Sequence, residues 1–262
     1  MTNKINQENK VKDQYQDDQG LVIRKRLHDR YSTNKQGLQN WIYACLDLPE
    51  SGKFLEVGSG NGDFAYKHKL YKRPGLDLSL SDFSMGMVAV MKEKFPHGTD
   101  IQQVDVQDLP FEDESFDIVL ANAMLYHVPD LDKALKEISR VLKPGGRLYA
   151  TTFGENGLTQ HIHAYLGAIG FETQQTDNFT FTLQNGQACL IKHFSQVDRL
   201  DYEDRLLIDD PKDLVDYIFS MNNFSSLDED NKVDLANYLM QLKSKTGWIE
   251  IPKEYVCFIC QK

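Results

Sequence analysis

Between Phe54 and Asp63 the chain reads Phe-Leu-Glu-Val-Gly-Ser-Gly-Asn-Gly-Asp, an apolar run that passes into glycines at every second position. Such glycines let the backbone turn sharply and let a ligand approach it without meeting a Cβ. A helix starting directly afterwards offers free N–H groups and a partial positive charge to an anionic group. The alternative is a glycine-rich turn that holds nothing. The spacing also separates cofactors. A dinucleotide fingerprint, G-x-G-x-x-G, needs a glycine at 63, where the chain has Asp63, a poor neighbour for a pyrophosphate. NAD and FAD are therefore disfavoured, and a nicotinamide-dependent oxidoreductase with them.

Two acids downstream have the placement of ligand acceptors. Leu76, Leu78 and Leu80 alternate along a strand that ends at Ser81-Asp82-Phe83. An acid at the tip of a second strand can accept hydrogen bonds from the two hydroxyls of a ribose. Asp77 is the rival, but it lies mid-strand and points into a sheet face. Asp105, in Asp105-Val106-Gln107-Asp108, follows the third strand. A carboxylate there can accept from an adenine amino group while a neighbouring backbone N–H reaches a ring nitrogen; the plain alternative is a solvated acidic loop.

The elements that would position these residues follow from periodicity. Strands are expected at Lys53–Val57, Gly75–Ser81, Asp100–Val104, Phe116–Asn122 and Arg147–Phe153, with helices between them at Gly62–Leu70, Ser84–Phe95 and Leu131–Leu142. That alternation points to a doubly wound α/β fold on a parallel sheet. Upstream, a helix over Leu21–Tyr31 precedes the stripe Leu38, Trp41, Ile42, Cys45 and Leu46. After Phe153 the rhythm fails, and residues 155–195, mixed in Gly, His, Gln and Asn, read as an insertion. A strand at Val197–Asp201, helices at Lys212–Met221 and Asp228–Lys243, and a hairpin from Trp248 to Gln261 complete the expectation.

Composition bounds the function. The chain has 262 residues, 41% hydrophobic and 26% charged, with a net charge of −10, values that exclude wholesale disorder. The acidic balance weighs against a protein that grips nucleic acid through its phosphates. No apolar run reaches the length of a membrane span, the polar N-terminus lacks a signal-peptide core, and four cysteines make no disulfide framework. A cytoplasmic protein is expected. The charge is uneven: residues 198–234 carry −8 and residues 1–35 carry +3. The acidic run reads as a solvated face. Cys257 and Cys260 form a C-x-x-C without a second pair for zinc, in an apolar strand, so they read as buried structural thiols.

The stretches LEVGSGNG (55–62), LSDFSMGM (80–87), DVQDLPFEDESFDIVLANAMLYHVPD (105–130) and EISRVLKPGGRLYATTFG (137–154) together resemble the class I S-adenosylmethionine-dependent methyltransferases, in particular the small-molecule group of ubiquinone/menaquinone-type enzymes. The resemblance implies a seven-stranded, mostly parallel sheet. It divides the chain into an N-terminal helical cap (1–46), a cofactor-binding core (47–154), an insertion that could form a substrate lid (155–195) and terminal strands and helices completing the sheet (196–262). By the same resemblance, Glu56 would hold the methionyl ammonium of S-adenosylmethionine, with Gly58, Ser59, Gly60 and Asn61 as the floor beneath methionine and ribose. Asp82 would bind the ribose diol, Phe83 would pack on the adenine, and Asp105 and Val106 would read its edge. Backbone groups of Ala121 and Asn122 would close the site. Met85 departs from the group's common pattern, where proline often stands, which bears on the shape of that turn only.

The expected reaction is transfer of a methyl group to O, N or C of a small molecule, with no metal. His127 is the first candidate base, against a plain role in capping its loop. Tyr126 is a substrate-facing candidate. Tyr15, His28 and Tyr31 lie in the segment that would fold over the cofactor, with Tyr31 the catalytic candidate among them. His161 and His163 read as surface residues. Rival functions are methylation of tRNA or protein, which needs a basic strip of which residues 1–35 are the only candidate, and a binding module that holds the cofactor without catalysis.

Overall fold

The computed structural model describes residues 19–173, 179–221 and 224–262. Its strands are β1 (Gly52–Val57), β2 (Leu76–Asp82), β3 (Asp100–Gln103), β4 (Phe116–Asn122), β5 (Leu142–Phe153), β6 (Gln196–Ile208) and β7 (Ile249–Gln261). They form a single sheet in the order β3-β2-β1-β4-β5-β7-β6. The first five run parallel, and β7 lies antiparallel between β5 and β6. The order reverses between β1 and β4, which opens a crevice at the carboxyl ends of those strands.

Both sheet faces are covered, so the central strands read as continuous apolar runs. Leu55, Val57, Val119 and Ala121 face one side, where α5 (Leu131–Val141) lays down Ala134, Leu135, Ile138 and Val141. Phe54, Leu80, Ile118 and Leu120 face the other, against Ile42 of α2 (Leu38–Cys45), Phe64 and Ala65 of α3 (Asp63–Lys67) and Val88 and Met91 of α4 (Met85–Lys94). Asp130 caps α5 by accepting from Lys133 N at 3.0 Å, which satisfies a free donor of its first turn. Cys257 and Cys260 are both buried but belong to opposite sheet faces, so they form neither a disulfide nor a chelating pair.

Four elements differ from the sequence expectation. The helix drawn over 62–70 stops at Lys67, because Lys69 adopts φ 53, a left-handed conformation that an α-helix cannot contain. The segment 155–195 contains α6 (Leu158–Ala168) and α7 (Gly186–Leu190), and it delivers β6 in the direction of β5. It acts as a crossover between parallel strands rather than an interruption of the βα rhythm. β6 runs to Ile208 rather than ending at Asp201, and the expected hairpin from Trp248 is the single strand β7, whose partners are β5 and β6. Alternation within 248–261 marks strand; it does not reveal whether the chain turns back.

The cap is tied down by the acidic run. Helix α1 (Gln19–Tyr31) packs Leu27 and Tyr31 into a cluster with α6, α8 (Pro211–Phe219) and α9 (Glu229–Thr246). Arg26 and Arg30 reach Asp213 at 3.1 and 2.7 Å, and the Tyr31 hydroxyl donates to the same carboxylate at 2.7 Å. Beyond α1, Ser32 and Thr33 donate to Asp204, as does Asn34 N. Asp204 also pairs with Lys253 at 2.6 Å. Burial works to raise the Asp204 carboxyl, but the bonds from Lys253, Ser32 and Asn34 outweigh it and hold it below its usual range. The residues read as a solvated acidic face therefore include the anchor of the cap.

The side chains of Lys253 and Asp204 are 5% and 0% exposed. Replacing Lys253 by Met strands a buried carboxylate, which costs about 3–5 kcal/mol. Urea unfolding of Lys253→Met should show that loss, whereas a change below about 1 kcal/mol would mean the pair acts like an exposed one.

Candidate active site

At the crevice the structure encloses a cavity of about 890 Å³ lined by the carboxyl ends of β1, β2 and β4 and by α1, α2 and α4. The chain leaves β1 at Glu56-Val57 and enters the glycine loop, held from below by the Ser59 and Ser81 hydroxyls, which donate to the Glu56 carbonyl at 3.0 and 3.2 Å. Two glycines are needed for different reasons. Gly58 has φ 64, and a Cβ there would lie 2.7 Å from the Met124 side chain. Gly60 has φ 56 and nothing within 4 Å of where its Cβ would be, so it exposes bare backbone to the cavity it lines.

Glu56 is the least comfortable group in the site. It is 1% exposed, and its Oε2 meets no hydrogen-bond partner. Burial, and secondarily the charge of Asp82, pushes its carboxyl up to about 8. Asp82 accepts from Gly60 N through Oδ2 and from Ser84 N through Oδ1, both at 2.8 Å. Burial still raises its carboxyl despite those two bonds. Each oxygen keeps a further lone pair for a ligand hydroxyl. Asp82 thus does two things: it pins the glycine loop to the end of β2 and it presents acceptors to the cavity.

The remaining expected cofactor residues fall as follows. Val57, Gly58, Ser59, Gly60, Asn61, Phe83, Asp105, Val106 and Asn122 all line the cavity with Glu56 and Asp82. Asp105 also takes the Gln107 side-chain amide at 3.0 Å and its backbone N at 2.9 Å. Ala121 does not line the cavity; it is fully buried in the core, and the wall after β4 is made by Asn122, Ala123 and Met124. Ala123 holds φ 52, fixed by donation of its N–H to the Thr151 hydroxyl at 2.9 Å. Strain of this kind collects where a chain is shaped for function. Asp63, which argued against a pyrophosphate, lines the cavity in an ion pair with Lys94.

The expected catalytic and substrate residues separate more sharply. His127 and His28 both line the cavity, and burial brings each imidazole down to about 4, with Lys253 adding to the effect at His28. Both rings are therefore neutral at physiological pH. Tyr31 does not line the cavity: it is buried at the end of α1 with its hydroxyl on Asp213, so no acid–base role is assigned to it. Tyr126 does not line it either, its ring lying edge-on to Phe153 and Phe179 at 4.7 and 5.7 Å. Tyr15 lies outside the described residues. His163 packs edge-on against Phe224 rather than on the surface. Sequence reasoning missed Val22, Lys25 and Gln39 of the cap, and Lys94, Gln107 and Met124. Gln107 and Met124 stood inside the quoted stretch 105–130 and were legible; Val22, Lys25, Gln39 and Lys94 carry no local signal. Among the described residues no group of three His, Cys, Asp or Glu side chains is placed to hold a metal.

Residues 55–150 match the family described as a methyltransferase domain. That match covers less than half of the chain. The domain is 34% identical over 116 residues to the ubiquinone/menaquinone biosynthesis C-methyltransferase of Pasteurella multocida, covering 42% of this chain and 43% of that one. It is 43% identical over 103 residues to the demethylmenaquinone methyltransferase of Staphylococcus aureus, covering 38% and 43%. The chain thus matches less than half the length of these relatives. The fold extends further: phosphoethanolamine N-methyltransferase 2 of Haemonchus contortus, solved with S-adenosyl-L-methionine, superposes with a TM-score of 0.59 at 20% identity over 94% of this chain and 57% of that one. No helix among the described residues is long and apolar enough to cross a membrane.

The site fits a ligand that brings an ammonium and a diol: an orphaned buried carboxyl awaits the first, a carboxylate with spare lone pairs the second, and the bare Gly60 backbone leaves room between them. Without a ligand, Glu56 makes stability depend on pH. Between the ordinary carboxyl value of 4.5 and about 8 the folded chain keeps a proton that the unfolded chain has lost. Stability therefore falls as pH rises across that window, by a few kcal/mol in all. Glu56→Gln should flatten this slope and leave the ligand-free protein more stable than wild type at pH 8, as read by denaturant titration at several pH values. An unchanged slope would show that Glu56 ionises normally.

Proposed function

We propose that this protein transfers the methyl group of S-adenosylmethionine to an oxygen, nitrogen or carbon atom of a small molecule, and that it does so in the cytoplasm. The observation that carries the reading is the Glu56 carboxyl, buried and unpartnered in the same cavity as Asp82 and the glycine loop. Glu56 would meet the methionyl ammonium and ionise against it. Asp82 would take the ribose hydroxyls on the lone pairs left free by Gly60 and Ser84. Phe83 would cover the adenine, and Asp105, Val106 and Gln107 would border its edge. When bound, S-adenosylmethionine supplies a methyl group made electrophilic by its sulfonium.

The chain's own share is to orient the acceptor, exclude water and manage a proton. Residues of α1 and α2 (Val22, Lys25, His28, Gln39) wall the cavity from the cap side, which supports exclusion of water. His127 and His28, both neutral, can each accept a hydrogen bond from an acceptor O–H or N–H, and His127 is the proposed proton acceptor where the reaction releases one. A small-molecule acceptor is favoured over RNA by the cap itself. Its Arg26 and Arg30 are spent on Asp213, so the basic N-terminal segment offers fewer charges to phosphates than its composition promised.

Calorimetry with S-adenosylmethionine and S-adenosylhomocysteine tests the reading. Wild type should bind both, and Asp82→Ala should weaken binding more than about 10-fold, a loss of at least ~1.4 kcal/mol. Asp82→Asn, which keeps one acceptor for the loop, controls for collapse of the glycine turn and should fall between the two. No binding of either compound by wild type would overturn the proposal.

A further inference from the structure

β6 is the outer strand of the sheet, and only part of its outer edge is covered. Thr33 N donates to the Arg205 carbonyl at 2.9 Å, and the Asn34 side chain donates to the Glu203 carbonyl at 3.1 Å. These bonds show which residues of β6 turn their backbone away from β7. In an antiparallel ladder the N–H and C=O of one residue point to the same side, and the side alternates along the strand. Val197, Arg199 and Asp201 therefore share the outward set with Glu203 and Arg205. Among the described residues no backbone bond reaches the outer edge at 197–201. The side chains there are open as well: Asp198, Arg199 and Asp201 are exposed, and Leu200 is 42% exposed.

We propose that this edge pairs with the same edge of a second copy of the chain, antiparallel, about a two-fold axis through Leu200. The register follows from charge and backbone parity. With the axis at Leu200, Arg199 faces Asp201 of the second copy and Asp201 faces its Arg199. Both are outward residues, so each pair exchanges two N–H···O bonds. Leu200 meets Leu200 at the centre. An axis at Arg199 sets that guanidinium against itself. An axis at Asp201 opposes two carboxylates and calls on the Glu203 carbonyl, which Asn34 already holds. An axis between residues matches outward with inward backbone and makes no ladder.

The occupant is a second copy because Arg199-Leu200-Asp201 is complementary to itself when reversed. Charges and prolines guard a sheet edge against association; the charges on this edge are of opposite sign and so attract their own image. Here Arg199 and Asp201 already attract within one chain, at 2.7 Å, and the same attraction operates across the axis. Thr33 and Asn34 cap the strand above residue 202, so pairing ends there and the assembly closes as a dimer. The cavity residues are not involved.

Sedimentation equilibrium of the full chain at sub-millimolar concentration tests this. Wild type should have twice the mass of one 30.1 kDa chain. Arg199→Asp puts carboxylates opposite each other and should halve the mass. Adding Asp201→Arg to that variant restores opposite charges across the axis and should restore the dimer. Arg199→Pro removes an outward N–H that β7 does not use, and should give a monomer with an unchanged circular dichroism spectrum. A wild type of single-chain mass, a dimer that survives Arg199→Asp or Arg199→Pro, or a charge swap that fails to restore the dimer would overturn the proposal.

Discussion

Glu56 and Asp82 stand at the carboxyl ends of neighbouring strands and share one cavity, where burial raises both carboxyls. Charges so placed cost several kcal/mol each unless something compensates them. The fold compensates one of them internally. Asp82 takes two backbone N–H groups and in doing so fixes the glycine loop. Glu56 is given nothing, and the protein keeps it neutral by holding a proton. The shape of the loop, the approach of Met124 to Gly58 and the cover from the cap all shape the cavity in which Glu56 stays neutral.

The cap depends on a second set of buried charges. Asp204 and Lys253 neutralise each other inside the upper ends of β6 and β7, and Ser32, Thr33 and Asn34 close over them. This cluster and the Arg26–Asp213–Arg30 group place α1 so that His28 and Val22 reach the cavity. A doubly wound frame of this kind hosts many unrelated functions. In this chain the cap supplies one wall of the cavity.

Much of this was legible in the sequence, for reasons that can be named. The strands β1, β2 and β4 are short apolar runs with turn residues at their ends, and the glycines and acids follow them directly, so position along the chain was also position in the site. Residues 158–169 were legible too, with Leu158, Ile162, Tyr165, Leu166 and Ile169 on one helical stripe, but their polar and glycine neighbours masked it. Other features were not local properties at all. The −8 of residues 198–234 and the +3 of residues 1–35 were visible; that Asp213 and Asp204 would spend themselves on the cap required knowing that α1 lies on α8. Tyr31 shared a segment with His28, but its hydroxyl is taken by Asp213 of α8, a contact no local pattern shows. The wall residues Lys25 and Gln39 depend on tertiary placement in the same way.

The proton balance of ligand binding reports the state of Glu56 most directly. Calorimetric titration with S-adenosylhomocysteine at pH 7, repeated in buffers of different ionisation enthalpy, counts the protons exchanged. If the ligand's ammonium meets a carboxyl held at about 8, wild type should release about one proton on binding, and Glu56→Gln should release none. Binding by wild type without proton release would contradict the account, because Glu56 would then be either ionised beforehand or remote from the ammonium.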